Sequence, residues 1–518
     1  MSVDKMGRLS LPPDPTLFEL LYEPGLDEDR RTVLPYLLRV DAAHILMLAR
    51  QEILPRATAA KLLTVNRDLA GRCTAGETLF VARESHRGLY WLYEQEYIRQ
   101  LGGIVGGAAH VARSRNDINA TVTRLRMRDE ALALLAACDA LLAALHSQAE
   151  KHAATLMSFF THFQPAQPST LGHYLTGVFG ELLRTAEWLL AAFPALDRSP
   201  MGAAAGAGTS FPLDREEVAR LLGLAEVIEN SADAVASRDY AVQLLSGAAL
   251  LGTTLTRLSQ DLQSWGSFAY GFLDWPDDLV STSSIMPQKR NAFVLESIRG
   301  QAIQATGALT ATLAGLKNTP FTNGVEVSSG ATVHAWPAFQ ASYKAVRLTT
   351  LLVERLEARP ERMRAFLAGA QTTMTAVADL LVARHGLPFR TAHDAVGALL
   401  QELPADAELS PGIVKAGLEP VIAAATGDSV ELDLSELEAA LDPWRCLLAA
   451  RHGGGPAPES VRAQLRSLAE RHQHLRHRIA SRRRSRDEAD ALLAREIASF
   501  LAVADGPLPD PSGEERRA

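Results

Sequence analysis

The sequence predicts an all-α protein whose centre is a bundle of about five long helices. From Asp117 to about Met157, apolar residues recur at Ile118, Val122, Leu125, Leu132, Leu135, Cys138, Leu142 and Leu145. That is close to the spacing of about 3.5 residues expected of a helix packed along its whole length, here one of about 60 Å. Comparable runs follow from Pro168 to Phe193, Asp233 to Phe268, Asn291 to Lys317 and His334 to Glu354. Strand-like alternation is scarce throughout.

Taken in order, residues 1–110 read as a mixed, mostly helical segment. Pro12, Pro13 and Pro15 punctuate its lead, a helical pattern runs through Tyr36, Leu37, Leu38 and Ala42 to Leu54, and the pairs Gly102-Gly103 and Gly106-Gly107 break it. Residues 111–365 hold the long helices, whose apolar residues on several faces exceed what one bundle can bury and so predict a homo-oligomer. Pro360 interrupts the pattern, and 366–466 reads as a smaller helical domain. Residues 467–518 read as a charged, solvated helical tail with a frayed end. His472, His474 and His477 in it do not share one helix face and so do not suit a metal.

Composition narrows the function. The chain has 518 residues, 47% hydrophobic and 22% charged, as in a soluble globular protein with ample core. A formal charge of -8 gives no basic field to recruit nucleic acid or an acidic membrane, so the expected partners are small molecules and copies of the chain. Cys73, Cys138 and Cys446 are odd in number and far apart, as expected of reduced thiols in the cytoplasm. The N-terminus, with Asp4 and Asp14, does not read as a signal peptide. The run Ala131 to Leu145, interrupted by Asp139, reads as too short to span a bilayer. The segment Gly202 to Ser210 lacks the Gly-Lys-Ser/Thr ending and the preceding strand of a nucleotide loop.

The most informative stretch is Ser283-Ser284-Ile285-Met286-Pro287-Gln288-Lys289-Arg290-Asn291, followed by Glu296. A hydroxyl pair, a Met-Pro turn and a Lys-x-Asn pair entering a helix equip one mobile loop with a proton-transfer group and carboxylate-binding donors. Ser-Ser or a lysine alone would read as an ordinary polar loop. The whole string resembles the Ser-Ser-x-Met-Pro-x-Lys-x-Asn signature of the fumarase/aspartase superfamily, and its Met-Pro-Gln-Lys form is most similar to the argininosuccinate lyase branch. His110-Val111-Ala112-Arg113-Ser114-Arg115-Asn116-Asp117 and Thr161-His162-Phe163-Gln164-Pro165-Ala166-Gln167-Pro168 resemble two further blocks of that branch, in the same order. Weaker likeness runs through Asn230 to Asp233, Ser237 to Asp239 and Leu387 to His393, so that the resemblance covers roughly residues 15 to 466.

The resemblance implies a three-domain superfamily lyase fold and a homotetramer whose central helices form one shared bundle, each site assembled from blocks on three subunits. It also makes the Gly202 to Ser210 segment a tight connection beside the site. The implied chemistry removes a proton from the carbon beside a carboxylate and expels an amine to leave fumarate, without metal or cofactor. Ser114, Asn116, Thr161, Lys289 and Asn291 are the donors it carries over for the developing dianion. Ser283 is the implied base, which needs a cation or dipole to favour its alkoxide. His162 with Glu296 is the implied proton donor to the amine, the carboxylate fixing the imidazole tautomer. Arg115 and Arg238 suit carboxylates by their fork geometry; the alternative for each is a buried structural ion pair.

Two departures concern the leaving group. Where argininosuccinate lyases carry a Tyr-Asn-Lys/Arg-Asp-x-Gln block after the fourth long helix, this chain has Phe321-Thr322-Asn323-Gly324-Val325-Glu326-Val327-Ser328. The family's Glu-Asp-x-His segment here reads Gly88-Leu89-Tyr90-Trp91, and Thr282 and Ala292 replace the signature's Gly and Pro. Tyr90, Asn323, Val325 and Ser328 therefore mark a rebuilt specificity pocket. The expected function is elimination of an amine from an N-substituted aspartate to give fumarate, or the reverse addition. The alternatives are true argininosuccinate cleavage and a noncatalytic structural member of the superfamily.

Overall fold

Ser114 begins the longest of the five central helices, Arg115–Lys151, by capping it: its side chain accepts from Asn116 N while Asp117 returns a bond to its own backbone N–H. Residues 11–82, 87–404 and 407–504 are described in this computed structural model. Residues 1–10, with Asp4 among them, and the end expected to fray (505–518) lie outside them. The other central helices are Leu171–Ala191, Asp239–Gly266, Phe293–Leu316 and Ala335–Glu354. They bury Leu135, Leu142, Phe179, Leu251, Ile298 and Phe339 in one core. The fold is all-α in its bulk, with four two-stranded pairings among the described residues.

One pairing corrects the expected helix limits. The first helix ends at Lys151, not near Met157, and the second starts at Leu171, not Pro168. Between them β1 (Leu156–Thr161) and β2 (Gln164–Thr170) form an antiparallel hairpin with an irregularity between Ser158 and Phe160. The chain can fold back this tightly because Gly172 has no Cβ, which would lie 2.6 Å from the Ala153 Cα. A two-residue parallel bridge, Arg198–Ser199 with Glu226–Val227, also precedes the glycine-rich loop where no strand was expected.

The Ala131 to Leu145 run belongs to a helix that is, by length and composition, long and apolar enough to cross a membrane, contrary to the expectation that it is too short. Its apolar residues pack inside the protein's own core. Three arginines toward its start are buried with protein partners. Arg124 donates to Ala195 O (2.6 Å), Arg128 donates to Gly223 O (2.7 Å), and the Arg126 guanidinium lies 3.8 Å from the Trp336 ring centroid.

A second core joins the N-terminal helices through Leu37, Ile45, Leu62 and Tyr97, and takes in Ile118 and Leu125 of the first central helix. The third lies in residues 377–437, around Leu381, Val396, Leu418 and Leu437. The C-terminal helix begins at Pro458, runs to Ala504, and is not a solvated tail. Val461, Leu465, Leu475 and Ile479 enter the central core, and Leu493, Phe500 and Leu501 enter the N-terminal one. Arg462–Glu150 (2.9 Å), Arg471–Glu187 (2.7 Å) and Arg482–Asp197 (2.7 Å) flank this stripe, and buried His472 bonds Asp139 at 2.7 Å. The helix thus braces two cores at once. The three cysteines are free, with Cys138 buried.

Candidate active site

The segment His110 to Asp117 is held from behind by the N-terminal core. His44, fully buried, donates from Nε2 to Val111 O at 2.9 Å, which fixes its neutral tautomer. Arg113 pairs with buried Asp41, which also accepts from Tyr93 Oη at 2.5 Å. Ala112 between these anchors has a φ of 57°, the left-handed turn that swings Ser114 into its capping position.

Asp117 then ties this block to the glycine-rich loop. Its Oδ1 accepts from Ser114 N (2.9 Å), and its Oδ2 accepts from Gly202 N (3.1 Å) and Ala204 N (2.9 Å). Burial pushes its carboxyl up to about 6, while these N–H bonds pull the other way. Gly202 and Gly206, at φ of 82° and 121°, allow the loop to wrap the helix terminus. Asn116 donates to Ala205 O at 3.0 Å and accepts at Oδ1 from Asn323 Nδ2 at 2.8 Å. One amide hydrogen of Asn116 stays available to a ligand. Arg115 is exposed and enters no ion pair among the described residues.

Thr161 and His162 sit at the hairpin tip. Thr161 pairs with Gln164, and His162 and Phe163 form the two-residue turn with φ of 53° and 61°, the left-handed pair expected of a type I′ turn. Neither is glycine, so the tip is strained, and both side chains are exposed.

The signature loop is closed at its foot by pairing of Ser281 with Asn291 and Thr282 with Arg290. Arg290 anchors this foot to Asp277 and to Trp275 O (2.8 Å). Ser283 Oγ accepts from Ile285 N (3.3 Å) and Met286 N (3.1 Å). Two amide dipoles therefore converge on the hydroxyl that the sequence singles out as base, and they favour its anionic form. Lys289 is exposed and Asn291 partly so. Glu296, in the first turn of Phe293–Leu316, accepts from Gln263 Nε2 at 2.9 Å. Gln263 is a partner that sequence reasoning missed.

Within one chain, no hydrogen bond or ion pair among the described residues joins the blocks of Ser114, His162 and Ser283 to one another, and His162 does not meet Glu296. Arg238 is buried, donating to Ser237 O (2.7 Å) and Val235 O (3.2 Å), and its Nε and Nη2 have no hydrogen-bond partner among the described residues. It enters no ion pair among the described residues, so it remains a guanidinium with unused donors. Tyr90 Oη bonds His110 Nδ1 at 2.9 Å, and burial raises its pKa. That places Tyr90 behind the first block, without a described contact to Val325, which is 77% exposed, or to Ser328.

The profile of a family described as "Lyase" matches residues 95–307, and that of "Argininosuccinate lyase C-terminal" matches 371–420. The chain is similar to argininosuccinate lyase 1 of Shouchella clausii, 34% identical over 94% of this chain and 97% of that one. It is 37% identical to an argininosuccinate lyase of Methanoculleus marisnigri over 85% and 88% of the two chains. Among solved structures, EDDS lyase in complex with formate superposes with a TM-score of 0.83 at 28% identity, covering 97% of this chain and 99% of that one. A class II fumarase from Schistosoma mansoni shares the fold at a TM-score of 0.64 and 17% identity, covering 82% and 91%.

Proposed function

Since this chain belongs to the fumarase/aspartase superfamily, in its argininosuccinate lyase-like branch, we propose that it is a carbon–nitrogen lyase that eliminates an amine other than arginine from an N-substituted aspartate, leaving fumarate. The observation that carries this reading is the pair of backbone N–H groups on Ser283 Oγ. They supply the dipole that a serine base requires.

Ser283 takes the proton from the carbon beside the carboxylate. Lys289, Asn291, Thr161, Ser114 and the free amide hydrogen of Asn116 hold the carboxylate oxygens as charge develops, each donor contributing up to about 3 kcal/mol in the transition state. The C–N bond then breaks, the C=C bond forms, and His162, oriented by Glu296, gives its proton to the departing nitrogen. Arg238 supplies its two unpartnered donors to a carboxylate. No metal or cofactor enters this scheme.

A homotetramer with sites shared between subunits fits two features of the single chain. Among the described residues no hydrogen bond or ion pair joins the three blocks within one chain, and the central helices expose Trp188 (59%), Ile303 (68%) and Leu313 (50%). We read the protein as a soluble, cytoplasmic enzyme.

The amine side rests on Asn323, Val325 and Ser328, with Tyr90 acting from behind the first block. An exposed Val325 offers no charge to a zwitterionic arginine end. The second reading, argininosuccinate cleavage through a substitute pocket, is favoured by what the relatives are called. Ultraviolet detection of fumarate release from a panel of N-substituted aspartates, with argininosuccinate beside them, separates the two. No release from any member would sink both and leave a noncatalytic role.

A further inference from the structure

Among the described residues, nothing at the hairpin tip itself fixes Thr161 and His162. The His162 side chain forms no hydrogen bond or ion pair there, and Phe163 beside it is 74% exposed. The aim of the tip is therefore set by what packs beneath it. Phe160, the residue before Thr161 in β1, packs inward against the central core. Its ring centroid lies 5.7 Å from that of Tyr270, 5.8 Å from Phe366, and 6.3 Å from both Trp265 and Phe272. The contact with Tyr270 is edge to face at 85°, and Phe366 meets Phe272 in the same way at 5.2 Å and 82°. Aromatic rings prefer this arrangement, which fixes their relative orientation.

Two features single out Phe366 within this cluster. The helix that carries it, Pro360–Gly369, grips the hairpin at both ends: Phe366 meets Phe160 next to the tip, and Leu367 buries with Leu156 at the start of β1. The far side of the cluster is pinned by backbone bonds, since Phe272 N donates to Trp265 O and Arg359 N donates to Phe272 O, both at 2.8 Å. Arg359 immediately precedes the helix, so Phe272 and the helix start form one support. We propose that Phe366 is a positioning residue, which through Phe160 sets the aim of Thr161 and His162 for the reaction proposed above.

The roles of Thr161 and His162 rest on that reading, whereas the packing beneath them does not. Proton transfer to the departing nitrogen needs His162 within hydrogen-bond reach, and a displacement of about 1 Å can cost about 10²-fold. The other carboxylate donors, Ser114, Asn116, Lys289 and Asn291, lie on other blocks. Loss of the Phe366 ring therefore falls on kcat more than on KM.

Kinetics and amide hydrogen exchange on the full-length protein test this. Phe366→Ala should lower kcat about tenfold or more and change KM about twofold or less. On the trace turnover that remains in a His162→Asn background, the same replacement should cost less than about twofold, whereas beside Asn323→Ala it should keep its full effect. Phe366→Tyr, which retains the ring, should restore kcat to within about threefold of the parent. Peptides covering residues 156–164 should exchange about tenfold faster or more in Phe366→Ala, with exchange in Arg115–Lys151 unchanged. Should that variant fail to fold, Phe366→Leu takes its place, with effects of about threefold on kcat and exchange. Unchanged exchange in the hairpin, or faster exchange in the central helix as well, would overturn the proposal, as would an equal loss of kcat with and without His162. A parent that releases no fumarate from any adduct would overturn the lyase reading instead, and the exchange data would still decide whether Phe366 holds the tip.

Discussion

Asn323 donates a hydrogen bond from Nδ2 to Oδ1 of Asn116 across 2.8 Å, joining positions 207 residues apart in sequence. The segment where this chain departs from the argininosuccinate lyase pattern therefore bears directly on a proposed carboxylate-binding residue. Asn116 is held on its other side by Ala205 O, so a change at Asn323 alters both the amine pocket and the aim of the remaining Asn116 hydrogen.

Asn323→Ala should lower kcat/KM about fivefold to tenfold, the net worth of a partly buried hydrogen bond of about 1 kcal/mol. Part of the loss should appear in KM, because Asn116 contacts the substrate already in the ground state. Steady-state kinetics on the protein's best aspartate adduct checks this. Unchanged constants would mean that the contact does not position Asn116.

Ser283→Ala should reduce turnover by about 10²-fold or more while leaving the melting temperature within a degree or two, because the loop foot is held by Arg290 and not by Ser283. The amides of Ile285 and Met286 lose their acceptor but lie exposed to water. Near-normal turnover by a correctly folded variant would remove Ser283 from the role of base.

Because His162 and Ser283 stand on separate blocks, inactive Ser283→Ala and His162→Asn chains that are denatured together and refolded should regain part of the activity. Some shared sites would then receive both native residues. Ser283→Ala mixed with Glu296→Gln should stay inactive, since the signature loop and the helix start that follows it form one block. Recovery in neither mixture, from chains that reassemble normally, would argue against a site shared between subunits.

How much of this was legible in the sequence depended on the range of the interactions. The central helices declared themselves by periodicity, and the signature loop by its string of unlike polar residues. The hairpin did not, because Pro165 and Pro168 and the irregularity at Ser158 and Phe160 erase alternation in two short strands. The apolar stripe of Pro458–Ala504 was hidden among arginines that pair with acids far away in sequence, such as Glu150 and Glu187. Asp117 belongs to a block legible in the sequence, but its hold on Gly202 and Ala204 depends on a loop 85 and 87 residues distant.

His44 should make the fold acid-sensitive. Burial lowers its pKa from 6.5 to about 3, so between those values the unfolded chain takes up a proton that the folded chain refuses. Stability from this residue is complete above about pH 6.5 and falls steadily as pH drops toward 3, by about 2 kcal/mol at pH 5. His44→Gln keeps a donor for Val111 O and cannot titrate. The melting temperature should therefore fall less between pH 7 and pH 5 in the variant than in the parent, and equal slopes would exclude His44 as the acid-sensitive group.

The last prediction concerns the leaving group. Arginine presents an ammonium, a carboxylate and a guanidinium, and a closed site that leaves any of them unpaired loses affinity heavily. On the proposed reading, Asn323, Val325 and Ser328 replace a tyrosine, a cation and a glutamine of the argininosuccinate lyase pattern, and Val325 is exposed, with space for a longer side chain. Argininosuccinate should thus be a poor substrate beside adducts of smaller or less polar amines, failing in binding and orientation with the proton transfers intact. The triple replacement Asn323→Tyr, Val325→Arg and Ser328→Gln should raise kcat/KM for argininosuccinate by about tenfold or more and lower it for an apolar amine adduct. Asn116 loses its partner in this variant, so the test reads the ratio of the two substrates, which cancels any general loss. An unchanged ratio in a folded oligomer, or argininosuccinate proving the best substrate of the parent at about 10⁴ M⁻¹s⁻¹ or more, would show that the residues recognising the amine lie elsewhere.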